Sequence, residues 1–209
     1  MAGLSPAEIA APIRSILSKF PNIRVIQGEI TSLNPQSMKV ITDIEEYSYD
    51  YLVLACGVQH SYFGLEEWEE FAPGLKTIEQ AIEIRRRVLT AFEAAERMEI
   101  VSQQKKPLTF IVVGGGPTGV ELAGAIGGLS RFTLAKDFCK IDPKLTRIIL
   151  IEAGPRILPS FSEKLANRAT CDLEELGVQV WTSSRVTQIN SDGIEIGQKK
   201  VPAGTVLWA

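Results

Sequence analysis

Three glycines at fixed spacing, Gly114-x-Gly116-x-x-Gly119, stand between an apolar run and a stretch of small and apolar residues, an arrangement suited to holding a phosphate. Gly114 permits a tight turn, Gly116 lets the backbone approach a pyrophosphate, and Gly119 lets a helix touch a strand. Beyond Pro117, a helix N-terminus offers N–H groups without intrahelical partners to the same anion. A second chemical group is Glu152, which closes the apolar run Arg147 to Ile151. A carboxylate at the end of the second strand of such a unit accepts hydrogen bonds from an adenosine ribose and repels a 2′-phosphate, so the pattern predicts NADH rather than NADPH. Arg156 works against that preference, because a nearby guanidinium could receive the phosphate.

These residues need elements to position them. Leu108 to Val113 reads as a buried strand and Val120 to Leu129 as a helix packed closely on a sheet. Glu152 lies 38 residues after Gly114, where the usual interval is about 20. The excess is Arg131 to Lys144, expected to extend the helix and its return loop. A glycine-rich turn without a ligand, with Glu152 as an ordinary surface carboxylate at a strand end, is the bland alternative.

Composition narrows the classes. With 45% hydrophobic and 22% charged residues over 209, the chain has the make-up of a soluble globular protein. A formal net charge of −3, with Arg85-Arg86-Arg87 as the only notable basic run, argues against nucleic acid as a partner. The most apolar long window, 107 to 130, contains the glycine cluster, Pro117 and Glu121, so it reads poorly as a membrane span. The first twenty residues lack the pattern of a signal peptide. Cys56, Cys139 and Cys171 have no paired spacing, which points to a reducing, cytoplasmic setting, and His60 is the single histidine, so no histidine metal cluster is expected.

The chain also contains a half repeat. Ser5-Pro-Ala-Glu8 and Ser160-Phe-Ser-Glu163 both read as helix capping boxes, 155 residues apart. At the same offset Ile23-Arg-Val-Ile26 matches Val178-Gln-Val-Trp181, each expected to be a strand. Ile30-Thr-Ser-Leu-Asn34 then matches Val186-Thr-Gln-Ile-Asn190, and each copy ends in an apolar strand, Tyr51 to Ala55 and Thr205 to Ala209. The second copy is preceded by the glycine fingerprint, whereas the first has no such unit before it, so the expectation is a chain clipped at both ends. Between the copies, Thr77-Ile-Glu-Gln80 opens a long helix as a further capping box. Gln103-Gln-Lys-Lys-Pro107 is polar and ends in proline, which puts a domain boundary there: 1–105 and 106–209.

With these motifs in hand, the chain resembles the pyridine nucleotide-disulfide oxidoreductase superfamily, and within it the type II NADH dehydrogenases. The carriers are Leu4 to Arg14, Tyr49 to Gly57 with His60 to Gly64, Ile111 to Gly124, and Ile149 to Arg156. The resemblance implies an α/β fold, a Rossmann-like NAD(P)-binding domain of central parallel sheet plus β-meander, attached to a partial FAD-binding domain of the same type. It implies hydride transfer from NADH to FAD and electron transfer on to a quinone. Residue by residue, Gly116, Thr118 and Gly119 would face the NADH pyrophosphate, Glu152 the adenosine ribose, and Val186 and Thr187 the adenine, with Gly114, Pro117, Ala153 and Arg156 also among the cofactor-binding residues. Glu121 would lie near the nicotinamide as the catalytic candidate, orienting the carboxamide or taking part in proton movement; a helix-start charge favoured by the dipole is the alternative. On the flavin side, Ile30 would lie near the adenine, and Ala55, Cys56 and Gly57 near the phosphates.

Cys56 stands where the family commonly has threonine, which removes a hydroxyl donor. The FAD fingerprint, the C-terminal flavin contact and the amphipathic membrane-anchoring helices of the family are absent from the sequence, so the polypeptide by itself is expected not to turn over. The resemblance places the parent on the cytoplasmic face of a membrane as a peripheral protein and admits a homodimer. A non-catalytic dinucleotide-binding module and a piece of a thiol-disulfide reductase stay open beside it.

Overall fold

The computed structural model describes residues 10–58 and 61–209, and the chain divides into two compact units after Val58. The capping box expected at Ser5–Glu8, the start of the Leu4–Arg14 motif and His60 lie outside the described residues.

In the unit of residues 10–58, one short helix, α1 (Ile13–Leu17), precedes an antiparallel meander of β1 (Ile30–Asn34), β2 (Lys39–Thr42) and β3 (Glu46–Ser48). Asp43 secures the entry to the meander: its carboxylate accepts from the Glu29 N–H at 2.8 Å while its own N–H donates to the Glu29 carbonyl at 3.0 Å. Only Val40 is fully buried in the meander. The strands expected at Ile23–Ile26 and Tyr51–Ala55 do not form. A strand exists only where a second backbone takes up its N–H and C=O groups; among the described residues neither segment has one, and Tyr51 and Val53 stand 95% and 86% exposed.

In the second unit that partner is present. Strands β4 (Thr109–Val113), β5 (Arg147–Ile151), β6 (Val178–Trp181) and β10 (Thr205–Trp208) form a fully parallel sheet in the order β10-β4-β5-β6. Strand β4 is buried at all five positions, so its near-continuous apolar run is explained by cover on both faces. Phe110 and Val112 turn to one face, among α2 (Ile78–Glu96), α4 (Pro117–Gly128) and α5 (Glu163–Glu175), with the short α3 (Val101–Gln104) between α2 and α4 in the chain. Ile111 and Val113 turn to the other, against a second antiparallel meander of β7 (Gln188–Asn190), β8 (Gly193–Ile196) and β9 (Lys199–Pro202). The α/β architecture with a parallel sheet and a β-meander is thus as read from the sequence.

Two capping expectations part company. Thr77 and Gln80 form a reciprocal capping box at the start of α2. At Ser160 no box forms, and the helix starts three residues later, capped at Ser162 without a side-chain bond. Arg156 explains the difference: its guanidinium donates to the carbonyls of Leu158, Pro159 and Phe161, which winds residues 156–161 into a separate loop before the helix begins. The long helix α2 buries Ile84, Val88, Phe92 and Ala95 in the core of the second unit, and Phe92 stacks on Phe110 with ring centroids 5.7 Å apart. Residues 61–105 therefore belong by their contacts to this unit. The stretch 131–144 leaves α4 through one π turn, Leu129–Thr133, and returns as a loop held by Glu96, whose carboxylate accepts from the N–H groups of Cys139, Lys140 and Ile141. Burial pushes the Glu96 carboxyl up, but those three donors outweigh it and hold the group below its ordinary value.

Candidate functional site

Because β5 and β10 flank β4 on opposite sides and both run parallel to it, the order of strands reverses at β4. Crevices at such reversals lie outside the carboxyl ends of the strands, where two connections leave in opposite directions. A cleft of about 760 Å³ occupies that place. Its floor includes Val113, Gly114, Gly115 and Gly116 after β4, Ile151, Glu152 and Ala153 at the end of β5, and Trp208 and Ala209 at the end of β10.

The glycines of the floor are distinguished by what a side chain would meet. Gly114 has φ +116, and a Cβ there would lie 2.4 Å from the Ala209 carbonyl oxygen. At Gly115 it would fall 2.8 Å from the Glu152 carboxylate, and at Gly119 only 1.9 Å from the Gly114 oxygen. The protein itself explains these three. Gly116 differs: its φ is −72, and a Cβ would meet nothing within 4 Å. No contact among the described residues requires glycine there, at the N-cap of α4, with Pro117 as the first helical residue. Open space at an N-terminus that presents free backbone donors has the shape and polarity for a phosphate.

Glu152 is built into the same loop. One carboxylate oxygen accepts from the Gly115 N–H at 2.8 Å and the other from the Gly154 N–H at 2.6 Å. Leu158 N–H donates back to the Gly115 carbonyl at 2.7 Å, so the glycine turn and the 152–158 loop are stitched together. Each carboxylate oxygen keeps a further lone pair for an outside donor such as a ribose hydroxyl. Ser184 N–H donates to the Glu152 carbonyl at 3.0 Å, and with it Arg185 and Val186 come to the cleft wall.

Gly114, Gly116, Glu152, Ala153 and Val186 therefore line one cleft. Other candidates fall elsewhere. Glu121 is exposed on α4, is not in the cleft lining, and has no hydrogen bond or ion pair among the described residues. Arg156 is engaged by the three carbonyls of its own loop. Thr187 turns to β8, with its backbone N–H and hydroxyl both donating to the Glu195 carbonyl. Thr118 is half-buried one residue inside α4. Ile30, Ala55, Cys56 and Gly57 lie in the first unit, all four exposed, and among the described residues make no enclosed seat for a flavin.

Sequence reasoning missed the aromatic side of the cleft. Tyr62, Phe63 and Trp68 gather around Trp208, with ring centroids 5.2, 6.2 and 5.9 Å from it. Trp208 Nε1–H donates to the Ser61 carbonyl at 3.1 Å across 147 residues of chain, a separation no local pattern reveals. The Tyr62 hydroxyl donates to the Ala72 carbonyl at 2.9 Å; burial, then the charge of Glu69, push its pKa up to about 12, so it stays a neutral donor. Lys76 and Arg185 supply the cationic side chains of the lining.

The matches to known proteins follow the same outline. Residues 3–209 match the pyridine nucleotide-disulphide oxidoreductase family. The type II NADH:quinone oxidoreductase Ndh of Mycobacterium tuberculosis is 41% identical over 99% of this chain. An external alternative NAD(P)H-ubiquinone oxidoreductase of Arabidopsis thaliana mitochondria is 32% identical over 96%. The chain spans 46% of the first and 37% of the second, less than half the length of either. Among solved structures, NDH2 of Plasmodium falciparum in complex with NADH is 26% identical and superposes with a TM-score of 0.74, over 88% of this chain and 40% of that one. Among the described residues no helix is long and apolar enough to cross a membrane.

Proposed function

The chain belongs to the pyridine nucleotide-disulphide oxidoreductase family, and from that premise we propose that residues 61–209 bind NADH as part of an FAD-dependent NADH:quinone oxidoreductase. The observation that carries the reading is Gly116: it is the one fingerprint glycine for which the chain's own packing gives no reason, and its empty side faces the free donors of α4. The pyrophosphate sits there, on the N–H groups that begin the helix. Glu152, already fixed by Gly115 and Gly154, takes the adenosine ribose and turns away a 2′-phosphate, which favours NADH. Ala153 and Val186 border the adenosine half of the cleft. Arg156 acts by shaping the loop behind Glu152 rather than by touching the nucleotide. Glu121 in its exposed position serves as a helix-start charge until a partner domain or ligand brings something to it.

In the whole enzyme a bound flavin would supply the two-electron redox chemistry between NADH and a quinone. The contribution of these residues is positioning, holding the nicotinamide where its C4 is open to an acceptor. By the resemblance, residues 1–105 represent flavin-domain sequence with a connecting helix and 106–209 the NADH domain; of the first stretch, 61–105 pack with the NADH domain. Ile30, Ala55, Cys56 and Gly57 are assigned to the flavin, on the resemblance alone. Attachment to the cytoplasmic face of a membrane and a homodimeric assembly complete the proposal, on the same ground.

Titration calorimetry of the 209-residue chain with NADH and NADPH tests the first part. Binding of NADH, with NADPH weaker by at least tenfold, is the expected result; equal affinity removes the role of Glu152, and no binding of either removes the reading. Gly116→Ala sharpens the test. Loss of the N-cap glycine costs about 0.5–1 kcal/mol of stability, yet the added methyl takes up the phosphate's room, so NADH affinity falls at least tenfold.

A further inference from the structure

Phe63 has an exposure and a backbone that the fold does not account for. Its ring is 82% exposed, and its φ is +56, a left-handed conformation that costs a residue with a Cβ free energy. Gly64 follows at φ +86, so the turn contains two left-handed residues in succession, of which only one is a glycine. The turn is held in place by the Ser61 hydroxyl, which accepts from the Phe63 N–H at 3.2 Å, and by the Leu65 N–H donating to the Tyr62 carbonyl. A solvent-facing turn with no other duty would carry asparagine or glycine at this position. Instead a large apolar ring is held at the lip of the cleft, edge-on to Trp208 at an interplanar angle of 65°.

The position of that ring in the cleft identifies its occupant. A dinucleotide anchored by its pyrophosphate at Gly116 and by one ribose at Glu152 has its adenosine half over β5. Its other half must extend toward β10, the opposite neighbour of β4. There the lining is Tyr62, Phe63, Trp68 and Trp208, and the buried indole N–H of Trp68 has no partner among the described residues. We propose that Phe63 is a positioning residue for the nicotinamide ring, an aromatic wall against which the planar ring packs on the β10 side of the cleft. The inference rests on the dinucleotide reading above and adds the residue that receives the second ring. Strain held at a binding site is released by no internal contact, so removing the ring should separate stability from affinity.

The test uses the full chain, NADH, and ADP-ribose, which has the same adenosine and pyrophosphate but no nicotinamide. Phe63→Gly relieves the left-handed strain and removes the ring. The expected result is a raised melting temperature, NADH affinity lower by roughly three- to tenfold, and ADP-ribose affinity within twofold of the original. Phe63→Tyr keeps an aromatic ring and restores NADH affinity. Unchanged NADH affinity in Phe63→Gly, or an equal loss for NADH and ADP-ribose, overturns the proposal while leaving the dinucleotide site intact. If the unaltered chain binds neither compound, the dinucleotide reading fails first and the Phe63 assignment fails with it.

Discussion

Two stretches of this chain follow one plan and reach different ends. Residues 30–48 and 188–202 each fold as a three-stranded antiparallel meander, and each meander leads into an apolar segment of five residues. After the second meander, Thr205–Trp208 joins the parallel sheet beside β4 and is buried at every position. After the first, Tyr51, Val53 and Leu54 are 95%, 86% and 61% exposed and make no strand. The meanders differ in the same sense: Ile189, Ile194 and Val201 are buried against the sheet, whereas Val40 alone is buried in the first. Apolar patterning supplies the capacity to be a strand. A neighbouring backbone decides whether that capacity is used.

The comparison can be broken most severely at glycine. Gly119→Ala would force a Cβ to within 1.9 Å of a backbone oxygen, and should cost about 3 kcal/mol or more. Gly57→Ala, at φ +70 with nothing within 4 Å of the new Cβ, should cost only about 1 kcal/mol. All three tryptophans, Trp68, Trp181 and Trp208, lie in residues 61–209, so tryptophan fluorescence during urea denaturation reads Gly119→Ala in that unit, and hydrogen exchange of the amides of 39–48 reads Gly57→Ala in the other. A loss of stability for Gly119→Ala no larger than for Gly57→Ala would mean that the two regions are equally tolerant.

Equivalent positions of the repeat give a second contrast. Leu207 is 0% exposed, and Leu207→Ala should lower stability by about 3 kcal/mol. Val53, its counterpart, is 86% exposed, and Val53→Ala should fall within about 0.5 kcal/mol of no change. Hydrogen exchange should agree, with amides of 205–208 protected and those of 51–55 exchanging at nearly unprotected rates. Protection of 51–55 comparable to that of 205–208 would contradict the difference in pairing.

Smaller effects belong to charge. Glu83 on α2 accepts from both Arg86 and Arg87 at 2.7 Å, and those bonds draw its carboxyl from 4.5 down to about 2. A lowered folded-state pKa means stability present above about pH 4.5 and lost as the pH falls toward 2. Glu83 is about a third exposed, so after screening the contribution is about 1 kcal/mol. Glu83→Gln should therefore cost about 1 kcal/mol at pH 7 and only a small fraction of that at pH 2, read by urea denaturation at each pH. In the first unit Lys39 and Glu46 are also paired, at 2.8 Å but about half exposed on both sides, and Glu46→Gln should change stability by less than about 0.5 kcal/mol.

The same contrast sets what could be read from the sequence. Strand β4, the glycine turn and α4 were legible because each is specified within twenty residues: an apolar run, three glycines at fixed spacing, then small residues. Both meanders were visible as matching short segments, and the capping box at Thr77 formed as written. What failed depended on groups outside the motif itself. Ser160 lost its helix start to the guanidinium of Arg156, and Ile23–Ile26 and Tyr51–Ala55 have no strand beside them among the described residues. In the site, Glu152 and Gly116 were legible from the motif, while the wall of Tyr62, Phe63, Trp68 and Trp208 arises only when β10 draws two far segments together. Glu121 matched a family position, but its exposure depends on what surrounds α4, which the motif does not specify.

The bond between Glu152 and Gly115 also constrains the order in which this loop could change over generations. A side chain at Gly115 collides with the carboxylate it would face, at 2.8 Å, so Gly115→Ala is closed to a lineage that retains Glu152. Shortening Glu152 to alanine removes the carboxylate and the Cγ at 3.0 Å but leaves the Cβ at 2.9 Å. The second substitution then needs only a small shift of the loop, after which it occupies the space to which the Glu152 carboxylate would have to return. A shift in nucleotide preference made through Glu152 can in this way become locked by a methyl group one residue along the turn. The history of the site would be written in the pair rather than in either residue.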